Sequence, residues 1–247
     1  MSLDILAAAF GVAFLAAACQ SLTAFGFALV MVPLLSLAWE AKPAVVTSTF
    51  VGTPPLILLL YEVRSRVEAS RVVPMLLGSF LGIAPGVLVL DRIDPTALQV
   101  LVAAVVIVAA LSLFISPRPR LRQPSLLLSI LVGSLSGALR ASTSMGGPPV
   151  ALYTISYERE VERFRATLLA VFLPTSLVTL VGLAVAGLID GDVLIASAVA
   201  LPAVALGAFV GARVRAQVSE RPFRAVVLTI LIASSIAVLV SAVGPLN

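Results

Sequence analysis

The fold of this chain is decided by residues 136–149, which read Ser136-Gly137-Ala138-Leu139-Arg140-Ala141-Ser142-Thr143-Ser144-Met145-Gly146-Gly147-Pro148-Pro149. The stretch interrupts an apolar block, residues 125–155, with small, polar and helix-breaking residues. Arg140 is the only basic residue inside a segment that is long and apolar enough to be membrane. An ionised group in hydrocarbon costs at least ~3 kcal/mol, so one that is kept there usually has a function. The stretch therefore predicts a broken membrane helix with an anion site at the break.

The composition is that of an integral membrane protein. Hydrophobic residues make up 60% of the 247 residues and charged residues 11%, whereas soluble domains carry roughly 25% charged residues. The apolar blocks run about 18 residues or longer, which favours helices over the ~10-residue alternating strands of a membrane barrel. The predicted fold class is an all-α polytopic membrane protein.

Breaker residues divide the chain into eight apolar blocks. The first and the fifth are over thirty residues long, and both are interrupted near the middle by small and polar residues. Since one span needs about 20 residues, each of these two blocks is predicted to be a broken, re-entrant hairpin. The other six are predicted to be single spans. The blocks are 3–38, 44–61, 72–90, 96–115, 125–155, 166–188, 193–211 and 223–243.

Matched features in the two halves of the chain indicate an internal repeat. Gly78-Ser79-Phe80-Leu81-Gly82 in the third block corresponds to Gly207-Ala208-Phe209-Val210-Gly211 in the seventh, and Pro95 opens the fourth block as Pro222 opens the eighth. The predicted domains are therefore an N-terminal repeat, residues 1–116, and a C-terminal repeat, residues 117–247. Each repeat comprises one hairpin and three spans.

The basic residues predict how the repeats are oriented. If both hairpins return to the side that they left, four loops with 3, 3, 3 and 4 basic residues share one face, and only Lys42 and Arg92 lie on the other. The positive-inside rule favours this arrangement over single crossings and places the four loops in the cytoplasm. Three spans is an odd number, so the repeats are predicted to be inverted, with hairpin tips that meet near the midplane, as in many carriers. Residues 3–20 alone could also span, and that alternative stays open. The four loops are 62–71, 116–124, 156–165 and 212–224.

The second hairpin carries the residue types of an anion receptor. Pro148 and Pro149 are predicted to open the returning half-helix, which continues to about Ile155, so that backbone N–H groups near Gly146 and Gly147 face the break. Arg140 supplies a planar fork that matches the oxygens of a carboxylate or a sulfur oxyanion. The alternatives are an arginine that caps a helix or snorkels to the interface, and a plain loop. The substrate-binding residues predicted here are Arg140, Ser142, Thr143, Ser144, Gly146, Gly147 and Pro148.

The first hairpin and the second block offer only neutral groups to such a site. Serine and threonine in membrane helices often hydrogen-bond their own backbone, and this is the alternative for each hydroxyl. The further substrate-binding residues predicted from these segments are Gln20, Ser21, Thr23, Phe25, Gly26, Thr47 and Thr49.

The apolar blocks lack the side chains that enzymes and proton-coupled carriers use. The chain has no histidine and a single cysteine, Cys19, so neither an internal disulfide nor a metal centre built from these residues is expected. No span contains an acidic residue. A proton relay, a general base and catalysis are therefore not expected either. We expect no cofactor and no nucleic-acid partner. The expected partners are the lipid bilayer and a small anion, and a homodimer is left open.

Two long segments and three short motifs resemble those of the TauE/SafE sulfite exporter family, and the resemblance covers essentially the whole chain. It implies a plasma-membrane permease that exports sulfite or an organosulfonate such as sulfoacetate. The chain departs from the family at Phe27-Ala28, where glycines are usual, and at Arg140, where a small residue is common. The matching residues are Thr23-Ala24-Phe25-Gly26-Phe27-Ala28-Leu29-Val30-Met31-Val32-Pro33-Leu34-Leu35, Gly133-Ser134-Leu135-Ser136-Gly137 running to Gly146-Gly147-Pro148-Pro149, Ala44-Val45-Val46-Thr47-Ser48, and the Gly-x-Phe-x-Gly motifs at 78–82 and 207–211.

The function expected from the sequence is transport of a small anion across the bacterial inner membrane. The substrate would be sulfite, sulfoacetate or another organosulfonate or carboxylate, bound near the midplane between the hairpin tips and exported. Two alternatives stay open, an importer of the same fold and a non-transporting membrane scaffold or assembly factor. Replacement of Arg140 distinguishes a scaffold from a transporter, because only a transporter needs the charge.

Overall fold

The computed structural model describes residues 1–23, 26–114 and 124–215, which form nine α-helices and one short 3-10 helix and contain no β-strand. Six of these helices are long and apolar enough to cross a membrane. The predicted all-α membrane class is therefore confirmed, while the eighth predicted block, 223–243, lies outside the described residues. The helices are α1 Leu3–Thr23, α2 Phe27–Leu35, α3 Ala41–Val63, α4 Ala69–Arg92, α5 Pro95–Phe114, α6 Leu126–Thr143, α7 Gly147–Ile155, α8 Val161–Val185 and α9 Gly191–Arg215, with the 3-10 helix at Arg64–Arg66.

Both long apolar blocks are broken where the sequence changes character. Between α1 and α2, Gly26 takes a left-handed φ of 109°, which glycine adopts without steric cost. Between α6 and α7, Ser144 ends the helix with a φ of 65°, and its N–H donates to the carbonyl oxygen of Arg140 at 2.8 Å. Helix α7 then begins with Pro148 and Pro149 in its first turn and ends at Ile155, as predicted.

Helix α7 folds back along α6. Near the break, the hydroxyl of Ser136 donates to the carbonyl oxygen of Gly146 at 2.6 Å, and seven residues further along α7 the hydroxyl of Tyr153 lies 2.9 Å from that of Ser129. Seven residues rise about 10.5 Å in a helix, so equal lengths of α6 and α7 run side by side in opposite directions. The Tyr153 hydroxyl also accepts from the backbone N–H of Ser125, where α6 begins. The hairpin thus returns to the end from which it started.

The helices divide into two compact units. One contains Met1–Gly52, Ile93–Leu111 and the described residues from Ile189 onward, and the other contains Thr53–Arg92 and Ser112–Leu188. Each unit takes helices from both halves of the sequence. The predicted division near residue 116 concerns sequence repeats, and it stays a prediction.

In the second unit, α4 and α6 pack with their backbones in contact. Five glycines at four-residue spacing lie so close to the other helix that an added Cβ would overlap a backbone carbonyl oxygen. Small residues at this spacing let membrane helices approach each other closely. Since the contact positions increase together along both helices, α4 and α6 run parallel. The contacts pair Gly78 with Ile130, Gly82 with Ser134, Gly86 with Ala138, Gly133 with Met75, and Gly137 with Ser79.

In the first unit, α1 and α9 pack in the same way. Gly207 meets the carbonyl oxygen of Phe14 and Gly211 meets that of Ala18. Each of these glycines of α9 lies 129 positions after a glycine of α4 (207 and 78, 211 and 82). The α1 residues that the α9 glycines contact lie 116 positions before the α6 residues that the α4 glycines contact (14 and 130, 18 and 134). The two units therefore use the same helix pairing with matching contact positions, while the inverted repeat stays a prediction.

Loops 62–71 and 156–165 meet at one end of the second unit. Oppositely charged residues of the two loops form ion pairs, as the re-entrant arrangement requires. Which side of the membrane these loops face stays a prediction. The pairs are Arg66 with Glu160 at 3.0 Å, Arg163 with Glu68 at 2.7 Å, and Arg71 with Glu158.

Replacement of Gly82 by alanine is expected to destabilise the second unit by about 1–3 kcal/mol, because the new methyl group overlaps the backbone of α6 at Ser134. Gly11→Ala is the matched control. A Cβ on Gly11 has no atom within 4 Å, and alanine gains up to ~1 kcal/mol in helix propensity. Thermal unfolding of both variants in detergent measures the difference. Equal melting temperatures would contradict the close packing of α4 and α6.

Single cysteines in the 3-10 helix before α4 and at the end of α8 test the predicted orientation. In a Cys19→Ser background, Ser65→Cys is expected to resist a membrane-impermeant maleimide in intact cells, because it lies in a loop predicted to be cytoplasmic. Ala186→Cys, exposed at the far end of α8, is expected to react. The reverse pattern would show that the arginine-rich loops face outward.

Candidate anion site

Arg140 lies in the last turn of α6, about 21 Å along the helix from Leu126. Only 9% of its surface is exposed. Helix α6 ends immediately afterwards, since the left-handed Ser144 closes its last turn and Pro148-Pro149 cannot continue it. The guanidinium is therefore buried beside a helix break.

Helix α8 holds the guanidinium from two sides. Nη1 of Arg140 donates a hydrogen bond to the hydroxyl of Ser176 at 2.9 Å. The central carbon of the guanidinium lies 4.8 Å from the centre of the Phe172 ring, within the range of a cation–π contact. Ser176 and Phe172 are four positions apart and share one face of α8. Together they hold the charged group against α8.

The charge of Arg140 has no protein counter-ion in the part of the chain that the structure describes. Its Nε is buried and has no hydrogen-bond partner, and no carboxylate among residues 1–23, 26–114 and 124–215 pairs with it. Arg165, which is also buried, differs because Glu162 lies 3.5 Å away. Burying a charge without a partner is costly, so Arg140 is the group whose electrostatics remain unsatisfied.

The hydroxyls that follow Arg140 are bonded to their own helix. The hydroxyl of Ser142 donates to the carbonyl oxygen of Ala138 at 2.8 Å, and that of Thr143 donates to Leu139 at 2.7 Å. Each hydroxyl has a single hydrogen, so Ser142 and Thr143 have none left for an anion in this conformation. Ser144 contributes the left-handed residue that ends α6.

Gly146, Gly147 and Pro148 lie beside Arg140 at the start of α7. A Cβ on Gly146 would lie 2.6 Å from the carbonyl oxygen of Ser136 and 2.8 Å from the Cβ of Arg140, so only glycine allows this approach. Pro148 and Pro149 have no N–H, which removes two of the donors that a helix start normally presents. The backbone donors nearest the break are therefore those of Gly146 and Gly147.

The residues predicted from the first hairpin and the second block belong to the first unit. Gln20 is buried, and Ser21 joins α1 to α9 through the carbonyl oxygens of Ala17 and Ala208, at 3.0 Å and 3.2 Å. Gly26 forms the left-handed break. Thr49 donates to its own helix at Val45, and the buried hydroxyl of Thr47 has no hydrogen-bond partner. Phe25 and the side chain of Thr23 lie outside what the structure describes. Binding by these residues stays a prediction.

The substrate-binding residues predicted from the sequence do not include Ser176 or Phe172, which contact Arg140. Thr179 lies one turn beyond Ser176, fully buried, and its hydroxyl has no hydrogen-bond partner. The available signal was a set of hydroxyls near Pro174 at helical spacing, although such residues are common in membrane helices. A phenylalanine in an apolar helix carries no signal of its own.

The chain matches the family model described as sulfite exporter TauE/SafE over residues 9–238. A relative from Cupriavidus necator, described as a probable sulfite/organosulfonate exporter TauE, is 25% identical over 231 residues, which cover 91% of this chain and 90% of the relative. No solved structure matches the chain at a significant level. The family match spans both units and the break that carries Arg140. The chain therefore belongs to the sulfite exporter TauE/SafE family of membrane transporters.

Proposed function

We propose that this protein exports a small anion of the sulfite, organosulfonate or carboxylate class across the bacterial inner membrane, and that Arg140 binds this anion. The uncompensated guanidinium of Arg140, buried with a free Nε–H, carries the proposal. The family match and the description of the C. necator relative as a probable sulfite/organosulfonate exporter support a substrate of the sulfur oxyanion class.

The charge of Arg140 explains why the ligand is an anion. A buried ion without a partner costs several kcal/mol, and an opposite charge with good hydrogen-bond geometry offsets that cost. The planar fork of arginine donates two parallel N–H bonds to two oxygens of one carboxylate, sulfite or sulfonate group. A substrate anion thus supplies the partner that the described part of the chain lacks.

The surroundings of Arg140 supply neutral support for the bound anion. Gly146 approaches the Arg140 side chain closely, and the N–H groups of Gly146 and Gly147 lie at the positive end of α7. Ser176 holds the guanidinium in place through Nη1. We assign binding to Arg140 with these two glycines, positioning to Ser176, and termination of α6 to Ser142, Thr143 and Ser144.

Export needs no coupled ion in this proposal. An inside-negative membrane potential favours outward movement of a monovalent anion by ~2.3 kcal/mol for each 100 mV. No aspartate, glutamate or histidine lies in the interior of an apolar block, so the side chains that relay protons in coupled carriers are missing from those blocks.

Arg140→Ala is expected to abolish anion flux while leaving insertion and folding intact. Loss of one partner of a buried charge pair costs about 2–4 kcal/mol, or roughly 30- to 1000-fold in binding. Uptake of labelled sulfite into proteoliposomes measures the effect. Arg140→Lys keeps the charge but loses the planar fork, so it is expected to retain part of the flux.

Arg159→Ala is the matched control, because it removes one arginine from an exposed loop position. Its flux is expected to equal that of the unmodified protein. If Arg140→Ala transports as well as Arg159→Ala, Arg140 is not the anion-binding residue. If the unmodified protein gives no more flux than protein-free liposomes, the transporter proposal is wrong and a scaffold role is favoured.

Flux is expected to follow the membrane potential and to ignore a pH gradient. Proteoliposomes with a potassium diffusion potential set by valinomycin provide the test, at equal pH on both sides. A potential that is negative on the side holding the sulfonate should accelerate its exit, and reversal of the potential should slow it. Transport driven by a proton gradient at zero potential would contradict uncoupled export.

A further inference from the structure

We infer that the Arg140 site accepts one monovalent oxyanion on a single edge of the guanidinium and discriminates against divalent anions. The inference rests on the proposed function and narrows its substrate class. It predicts hydrogensulfite and simple sulfonates as substrates, and it excludes sulfate, fully ionised sulfite and sulfoacetate with its second charge.

Contacts with α8 leave the edge formed by Nε and Nη2 free of hydrogen bonds to the described residues. Nη1 is bonded to the hydroxyl of Ser176, and the central carbon of the group lies 4.8 Å from the centre of the Phe172 ring. Nε has no partner, and Nη2 lies on the same edge as Nε. That edge presents two parallel N–H bonds, which suit two oxygens of one planar or pyramidal oxyanion.

The site carries a single positive charge. Arg140 is the only ionised residue in the interior of the apolar blocks, and Arg165, near the start of α8, is paired with Glu162. In the sequence, the residue 116 positions before Arg140, the offset that separates Phe14 from Ile130, is an uncharged alanine. A monoanion therefore neutralises Arg140, whereas a dianion leaves one negative charge buried without a partner.

In the described part of the second unit, few neutral donors lie next to Arg140. The hydroxyls of Ser142 and Thr143 donate to their own helix. Pro148 and Pro149 remove two N–H groups from the start of α7. The neutral donors that this unit keeps at the break are the N–H groups of Gly146 and Gly147, and they complement the oxygens of one anionic group.

Sulfite tests the preference for monovalent over divalent anions within one compound. Its hydrogensulfite form carries one negative charge, and loss of the remaining proton produces the dianion. Methanesulfonate keeps a single charge throughout the same pH range. The chain has no histidine and no acid in the interior of an apolar block, so titration of the spans themselves does not confound the comparison.

The experiment measures flux through the unmodified protein in proteoliposomes, held at zero potential with equal pH on both sides and without oxygen. Labelled sulfite, methanesulfonate, sulfoacetate and sulfate are compared from one pH unit below to one pH unit above the second ionisation of sulfurous acid. Sulfite flux should fall in step with the hydrogensulfite fraction, while methanesulfonate flux stays constant. Sulfate and sulfoacetate should move at least about tenfold more slowly than methanesulfonate.

Three results would overturn the preference for monovalent anions and leave the proposed function intact, provided that anion flux depends on Arg140. They are sulfate moving as fast as methanesulfonate, sulfoacetate doing so, or sulfite flux that holds steady or rises as the dianion forms. If none of the four anions moves faster than in protein-free liposomes, the proposed transport function is wrong, and if Arg140→Ala leaves flux unchanged, the assignment of binding to Arg140 is wrong. The two failures are therefore distinguishable.

A pair of α8 variants tests the single-edge geometry. Ser176→Ala releases Nη1, so the guanidinium loses a contact with α8, and the KM for methanesulfonate should rise at least severalfold while the preference for monoanions persists. Ser176→Thr keeps the hydroxyl and should restore the KM. Thr175→Val is the matched control, because that hydroxyl donates to its own helix at Val171. An unchanged KM in Ser176→Ala would remove Ser176 from the site.

Discussion

A guanidinium buried about 21 Å along a membrane helix needs a negative partner, and the described part of this chain offers none. That requirement explains the other features of the second unit. Ser176 and Phe172 satisfy one nitrogen and one face of the group, but neither carries a charge. The described part of the chain therefore leaves the charge of Arg140 without a counter-ion. In the proposed function, an anion from solution supplies the missing charge, as expected of a transport site and not of a structural ion pair.

The close packing of α4 against α6 positions this charge. Gly86 contacts α6 at Ala138 and Ala141, which lie two residues before and one residue after Arg140. The backbone that carries the arginine is therefore held by direct contact with α4. Side chains between the helices would let α6 rotate or slide, whereas backbone contact at successive turns leaves little freedom. On another side of α6, α7 returns along the helix and is fastened by Ser136 near the break and by Tyr153 at the base. A rigid hairpin thus presents its charge to α8.

The two units share a helix pairing, but only the long apolar block of the second unit contains a charged residue near its break. Gly78 and Gly82 on α4 match Gly207 and Gly211 on α9, and the helices they contact, α6 and α1, are the first arms of the two broken blocks. The charge of Arg140 has no counterpart in the long apolar block of the first unit. The shared helix pairing therefore does not by itself create the candidate site.

The sequence by itself determined the membrane class, the two breaks, the proline-led start of α7 and the importance of Arg140. Each of these follows from a local property: apolar length, the backbone limits of glycine and proline, and the cost of a charge in hydrocarbon. Only the tertiary structure decided which groups surround the charge. Helical periodicity defines the faces of α8 but not the helix that each face meets, so the contacts of Ser176 and Phe172 with Arg140 could not be predicted. A hydroxyl's partner depends on distances of a few tenths of an ångström, and for that reason Ser142 and Thr143, which looked like ligands in the sequence, are bonded to their own helix.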